Sequence, residues 1–236
     1  MQDNTKHKPI TVIIPTYNRP DTLGVTVAKI FQNLKYPGDV RVLIGDDSPE
    51  KQEYKWSHKN ATFLEGPHRG HGANLNMLMR AADTEIVLQM DHDHWLEKPL
   101  DITDYADDLF DKELNLGWIR LFLGERSDYY NPRTYYKYKA ANWGPYWYIS
   151  PESPFLYIAS HRPHLKRVDF HVNHFGWYPE NKKLGITEES WCHQYKDRRK
   201  ALAWANGPWV AIPMLGLAYD QWKHWGVTES LQGEGL

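Results

Sequence analysis

The chain has 236 residues, 28 Lys and Arg against 30 Asp and Glu, and a formal net charge of −2. That is ample for one domain with a sizeable core, and it excludes a strongly electrostatic, non-specific nucleic-acid binder while leaving room for a local basic groove. A single cysteine, Cys192, excludes an intrachain disulfide framework and a cysteine-based zinc site, and no apolar stretch is long enough to span a bilayer.

Ile10 to Ile14 is a β-branched run that breaks at Pro15-Thr16-Tyr17-Asn18-Arg19-Pro20, a buried strand entering a loop. A helix is predicted next: Asp21 is placed to cap it, and Leu23, Val27, Ile30, Phe31 and Leu34 share one face until Tyr36-Pro37-Gly38 stops it. Arg41 to Ile44 is a second strand running into Gly45-Asp46-Asp47-Ser48, and Thr62-Phe63-Leu64 a third, ahead of the glycine-rich loop 66–72. Ala73, Met77, Leu78, Ala81 and Ala82 mark a second helix, and Glu85 to Met90 a further strand ending in Asp91-His92-Asp93.

This alternation predicts an α/β fold with a mainly parallel, helix-covered sheet that binds ligands beyond the carboxyl ends of its strands. Three polar clusters fall at such ends: 16–19, 46–48 and 91–93. In an extended strand Asp91 and Asp93 would project from one face and His92 from the other. Two carboxylates so placed suit Mg²⁺ or Mn²⁺. An Asp-x-Asp in isolation is more simply a polar turn after a buried strand, so the weight rests on three clusters converging.

The motifs at 14–20 and 45–48, the glycine-rich loop leading to Ala73-Asn74-Leu75-Asn76, and Asp91-His92-Asp93, in this order and spacing, resemble glycosyltransferase family 2 with the GT-A fold. The resemblance covers about residues 9–95 and, more loosely, 185–215. It implies a Rossmann-like sheet flanked by helices, with an aromatic-rich insertion on the acceptor side; no linker or internal repeat divides the chain, so one catalytic domain is expected over 9–225 between flexible termini at 1–8 and 226–236. Pro15, Thr16, Tyr17 and Arg19 would then line a nucleotide pocket, Asp46 would accept a hydrogen bond from the base, and Asp47, Asn76 and Asp91 would complete the donor site. Asp93 with Asp91 would hold the metal that bridges the pyrophosphate of a nucleotide-sugar, UDP-sugar being the default.

The resemblance also places Glu189, in Gly185-Ile186-Thr187-Glu188-Glu189-Ser190, where inverting members carry a catalytic Asp, with Glu188 as the alternative base. Thr187 as a helix cap with acids in the first turn explains the same residues without catalysis. Related enzymes often supply a further metal ligand as a His after the last core strand, here Val210 to Pro213. His224 is the candidate, with His171, His174 and His193 as others.

Between Tyr129 and Tyr148 the chain is dense in Tyr and Trp interleaved with Arg133, Lys137 and Lys139. Such a segment fits stacking on a glycan or glycolipid head group, stacking on nucleobases, or a β-rich flap packing its own rings. The second case admits a hydroxymethylated base in DNA as acceptor, with Arg162, His164, Lys166, Arg167 and 196–200 meeting phosphates. Residues 1–8 are polar with no apolar leader, so a soluble cytoplasmic protein is expected. Two other classes stay open: a nucleotide-sugar-binding protein without catalysis, against which both Asp91 and Asp93 stand, and a nucleotidyltransferase, which would carry a basic glycine-rich loop after the first strand.

Overall fold

The computed structural model describes residues 7–54, 57–96, 99–111, 116–121, 141–143, 146–149, 163–181, 190, 193–194, 209–213 and 222–224. Strand β1 (Ile10–Thr16) is buried along its whole length, which is why its sequence is an unbroken apolar run and not an alternating one. Helix α1 (Pro20–Asn33) follows. Pro20 opens it, since the first helical N–H needs no partner, and the N-cap position falls to Arg19. The cap expected at Asp21 is therefore not formed; Asp21 sits in the first turn, where its charge faces the positive end of the helix dipole.

A two-residue strand β2 (Leu34–Lys35) leads to β3 (Val40–Asp46), β4 (Ala61–Glu65), α2 (His71–Ala81) and β5 (Ile86–Gln89). Then come β6 (His94–Leu96), β7 (Leu100–Asp101), α3 (Thr103–Phe110), β8 (Leu116–Arg120), the pair β9 (Ala141–Trp143) and β10 (Tyr146–Ile149), and β11 (His164–Arg167). A helical turn, Val168–Phe170, runs into a π-helix, His171–Phe175, and β12 (Trp209–Pro213) and β13 (Trp222–His224) complete the described elements.

Nine strands form one sheet in the order β4-β3-β1-β5-β11-β8-β12-β10-β9. The first four run parallel, β11 is inserted antiparallel between β5 and β8, β12 returns parallel to β8, and β10 and β9 finish the edge antiparallel. The described part of the aromatic-rich segment is thus an added edge hairpin; residues 129–140 lie outside the described residues. No helix among the described residues is long and apolar enough to cross a membrane.

Two apolar layers cover the sheet. Ile10, Val12 and Ile14 pack with Leu23, Val27 and Ile30 of α1 and with Tyr105 and Leu109 of α3. On the other face Ile13 and Val87 meet Leu75, Leu78 and Met79 of α2, together with Trp118, Phe170, Phe175 and Tyr178. Each fully buried aliphatic side chain contributes about 1.5–3 kcal/mol, so the parallel half of the sheet is a rigid base for whatever its strand ends carry.

That second face also buries polar groups. Lys166 donates to Gln89 Oε1 at 2.7 Å and to the Tyr178 hydroxyl at 3.0 Å, and Tyr178 donates to Gln89 at 3.0 Å. The amine lies 5.1 Å from the Trp118 and Tyr178 ring centres, which offsets part of the cost of a charge, but burial dominates and pushes Lys166 well below the ordinary lysine range. His164, Lys166 and Arg167 are all buried in β11 and cannot meet DNA phosphates, so the basic contacts expected there are corrected to core positions. Arg162 and residues 196–200 lie outside the described residues.

Candidate active site

Parallel pairing sets Thr16 opposite Asp46, so the polar clusters that end β1 and β3 are neighbours by register. The Asp47 N–H donates to Thr16 O at 3.0 Å, and the Asn18 N–H donates to Ser48 Oγ at 2.8 Å. Pro15 and Thr16 are buried in the last turn of pleat, Arg19 is half-buried, and Tyr17 stands out with 55% exposure. The Asp46 carboxylate is held from both sides. Its Oδ1 accepts the Ser48 N–H at 3.0 Å and the Ser48 hydroxyl, and its Oδ2 accepts the Tyr54 hydroxyl at 2.6 Å.

Asp47 and Asn76, both expected at the donor, are engaged by protein backbone. Asp47 Oδ1 accepts the His68 N–H at 2.6 Å and Oδ2 accepts the Gly70 N–H at 3.1 Å, pinning the glycine-rich loop. Gly70 adopts φ 88°, a conformation that disfavours any side chain. Burial pushes the Asp47 carboxyl up, against the two N–H bonds that pull it down. Asn76, 1% exposed, donates to Tyr178 O at 3.0 Å and accepts the Tyr178 N–H at 2.9 Å. Its amide also lies 3.2 Å from Glu180 Oε1, and Arg69 pairs with Glu180 at 3.0 Å. Asn74 of the same helix donates to Gly45 O at 2.8 Å, an approach that a Cβ on residue 45 would obstruct by overlapping the Asn74 carboxamide.

The third cluster departs from the strand geometry predicted for it. β5 ends at Gln89, and residues 91–94 form a turn in which the His94 N–H donates to Asp91 O at 3.1 Å. It is this turn, and not strand alternation, that brings the two acids together: one ligand atom each from Asp91, Asp93 and His94 lies within 4.8 Å of the others. His94 is a site residue the sequence reading missed, and the signal for it was the i, i+3 spacing that a turn closes. Its Nδ1 accepts the Asp91 N–H at 3.1 Å, so in the neutral ring Nε2 carries the proton and points a donor, not a lone pair, at its surroundings.

β13 runs antiparallel to β6, and the register sets His224 opposite His94. Of the other candidate histidines, His171 is buried against Trp118, Phe175 and Tyr178, His174 packs on Phe170, and His193 is exposed. His92 turns back to bond the Pro15 carbonyl while its own carbonyl accepts the Thr26 hydroxyl. Burial lowers its basicity, with Asp93 opposing. His71, half-buried with Nε2 wholly shielded, is pushed down to about 3, chiefly by burial and then by His92.

Glu188 and Glu189 lie outside the described residues. Of the residues that follow them, Ser190, His193 and Gln194 are helical.

The family model for Glycosyl transferase family 2 matches residues 11–167. No curated protein sequence matches the chain. Among solved structures it is similar to the mannosyltransferase PcManGT from Pyrobaculum calidifontis in complex with GDP-Man and Mn²⁺, with 20% identity and a TM-score of 0.57 over 80% of this chain and 52% of that one. It is similar to S. aureus TarS 1-349 in complex with UDP-GlcNAc, at 15% identity and a TM-score of 0.58, over 97% of this chain and 62% of that one. GalNAc-T7 with UDP, GalNAc and Mn²⁺ gives 12% identity and a TM-score of 0.61 over 89% of this chain and 43% of the other. The chain therefore spans 43% to 62% of the length of these chains, and the likeness is one of fold, the GT-A arrangement.

Proposed function

This chain belongs to glycosyl transferase family 2, and from that membership and its strand-end chemistry we propose that it moves a sugar from a nucleotide-sugar, by default a UDP-sugar, to an acceptor hydroxyl with inversion. The observation that carries the reading is the turn 91–94, where two carboxylates converge beyond the sheet ends that also carry Asp46 and Tyr17. A neighbour of the same fold holds GDP-Man with Mn²⁺, and others hold UDP-GlcNAc or UDP with Mn²⁺, which supports both a nucleotide donor and a metal.

Asp91 and Asp93 offer hard oxygen ligands that fit Mn²⁺ or Mg²⁺, and such an ion supplies Lewis-acid stabilisation of the charge that grows on a diphosphate leaving group. Asp46 accepts an N–H of the base, Tyr17 covers the base with an exposed ring, and Arg19 adds positive charge near the phosphates. His224 would serve as a further ligand beside the carboxylates. Glu189, or Glu188 in its place, takes the proton of the acceptor hydroxyl as the sugar carbon is attacked from the face opposite the leaving group. The acceptor is a glycan, a lipid head group or hydroxymethylated DNA.

The test is a donor screen on the purified protein with Mn²⁺ and UDP-, GDP-, CMP- and dTDP-sugars, following nucleotide release with and without hydroxymethylated DNA. Release with one donor class supports the reading, and its dependence on DNA would identify the acceptor. No release and no binding with any donor would overturn it.

A further inference from the structure

Helix α1 carries a polar stripe within its apolar face: Thr22, Thr26 and Asn33 are buried beside Leu23, Val27 and Ile30. A β-branched Thr is a modest helix former, and a buried hydroxyl needs an acceptor. Two of these side chains reach into the segment just past β5. The Thr26 hydroxyl donates to the His92 carbonyl, and the Asn33 amide donates to Leu96 O at 2.6 Å. The hydroxyl has a single proton, and the Thr22 carbonyl, 3.2 Å away, is the more distant of its two acceptors.

The His92 carbonyl is a consequential place to hold. Between the Cα atoms of Asp91 and Asp93 lie two planar peptides, and the direction of each carbonyl sets the rotation of its plane. The first plane is fixed inside the turn, where Asp91 O accepts the His94 N–H at 3.1 Å. The second is held from outside the turn, by Thr26. Upstream, the Met90 N–H on Ile13 O at 3.1 Å registers the chain against β1, and the His92 side chain bonds the Pro15 carbonyl. Freeing the second plane would let Asp93 turn relative to Asp91 while the first plane and the sheet stay in place. We propose that Thr26 is a positioning residue for the metal centre: its hydroxyl sets the peptide between His92 and Asp93 so that both carboxylates face one ion before the ion arrives. The inference rests on the metal-binding reading above. Thr26 supplies no ligand itself and acts through the backbone of His92.

The experiment is titration of Mn²⁺ into the purified protein, read by the electron paramagnetic resonance signal of the free ion, for the wild type, Thr26→Val, Thr26→Ser and Asn33→Ala, with a thermal melt of each. Thr26→Val keeps the shape and β-branching of the side chain and removes the hydroxyl. The expected result is Mn²⁺ binding weaker by about tenfold or more, the usual scale for losing a group that orients a metal ligand. Thr26→Ser should bind as the wild type does, because the donor remains. Asn33→Ala should lower Tm through loss of the Leu96 bond and leave Mn²⁺ affinity unchanged, which separates positioning from general stability. Should Thr26→Val fail to fold, Thr26→Ala removes the same donor and is read in the same way. Wild-type affinity in the variant that lacks the hydroxyl, an equal loss in Thr26→Ser, or an equal loss in Asn33→Ala would each overturn the positioning role and leave the metal site standing. No Mn²⁺ binding by the wild type would overturn both.

Discussion

Asn76 and Tyr178, 102 residues apart in sequence, exchange two hydrogen bonds: the Asn76 amide donates to Tyr178 O at 3.0 Å and its carbonyl accepts the Tyr178 N–H at 2.9 Å. The pair ties helix α2 to the segment that leads toward Glu188 and Glu189. A second tie lies beside it, the Asn181 N–H on Arg69 O at 2.8 Å.

Asn76→Asp keeps the acceptor for Tyr178 N–H but sets a carboxylate oxygen against Tyr178 O and near Glu180. Leaving a buried group so opposed costs about 1–3 kcal/mol, which for a chain of this size lowers Tm by about 2–4 °C per kcal/mol. A melt indistinguishable from wild type would show that the exchange holds nothing. A loss of turnover larger than the loss of folded protein would show that it positions the segment carrying Glu188 and Glu189.

Asp93→Asn should abolish metal-dependent turnover without unfolding the protein, because it removes a charged oxygen ligand and little volume. Mn²⁺ titration followed by calorimetry gives a readout independent of activity, and Asp91→Asn should behave alike. Unchanged Mn²⁺ affinity in both variants would take the turn 91–94 out of the mechanism.

Glu189→Gln should depress turnover by roughly two orders of magnitude or more while sparing donor binding, since a general base acts in the chemical step. The check is kcat against donor Kd. An equal loss in Glu188→Gln alone would move the role to that neighbour, and loss in neither would leave both as helix-capping acids.

Lys166 gives a pH-dependent prediction. Burial lowers the affinity of its amine for a proton well below the ordinary value of 10.5, so between the folded and the unfolded value the unfolded chain binds a proton there that the folded chain does not. Stability from this site is therefore complete only above the unfolded value and falls as pH drops beneath it. Lys166→Met removes the penalty, and Tyr178 can still donate to Gln89. The variant should melt about 2–4 °C higher or more near neutral pH, with the gap closing as pH rises toward 10. A lower Tm with the same pH slope would mean that the amine is charged and usefully held.

The first half of the chain was legible as sequence because its physics is local. A β-branched run buried on both faces leaves no alternation at Ile10 to Ile14, helical spacing marks α1 and α2, and parallel strands deliver their polar ends to one edge whatever else the protein does. That local reading puts Asp46 at the end of β3 and Asp91 and Asp93 just past the end of β5. What the sequence could not decide depends on contacts between distant segments. β11 enters antiparallel between β5 and β8, and that pairing turns Lys166 and Arg167 from expected surface cations into core residues. The turn 91–94 recruits His94, and the β6–β13 pair sets His224 opposite it. Asp47 and Asn76 look like ligand residues in the chain and hold backbone in the fold. A residue type fixes which hydrogen bonds a side chain can make, but only the tertiary structure chooses the partner, because the groups that compete for it arrive from elsewhere in the chain.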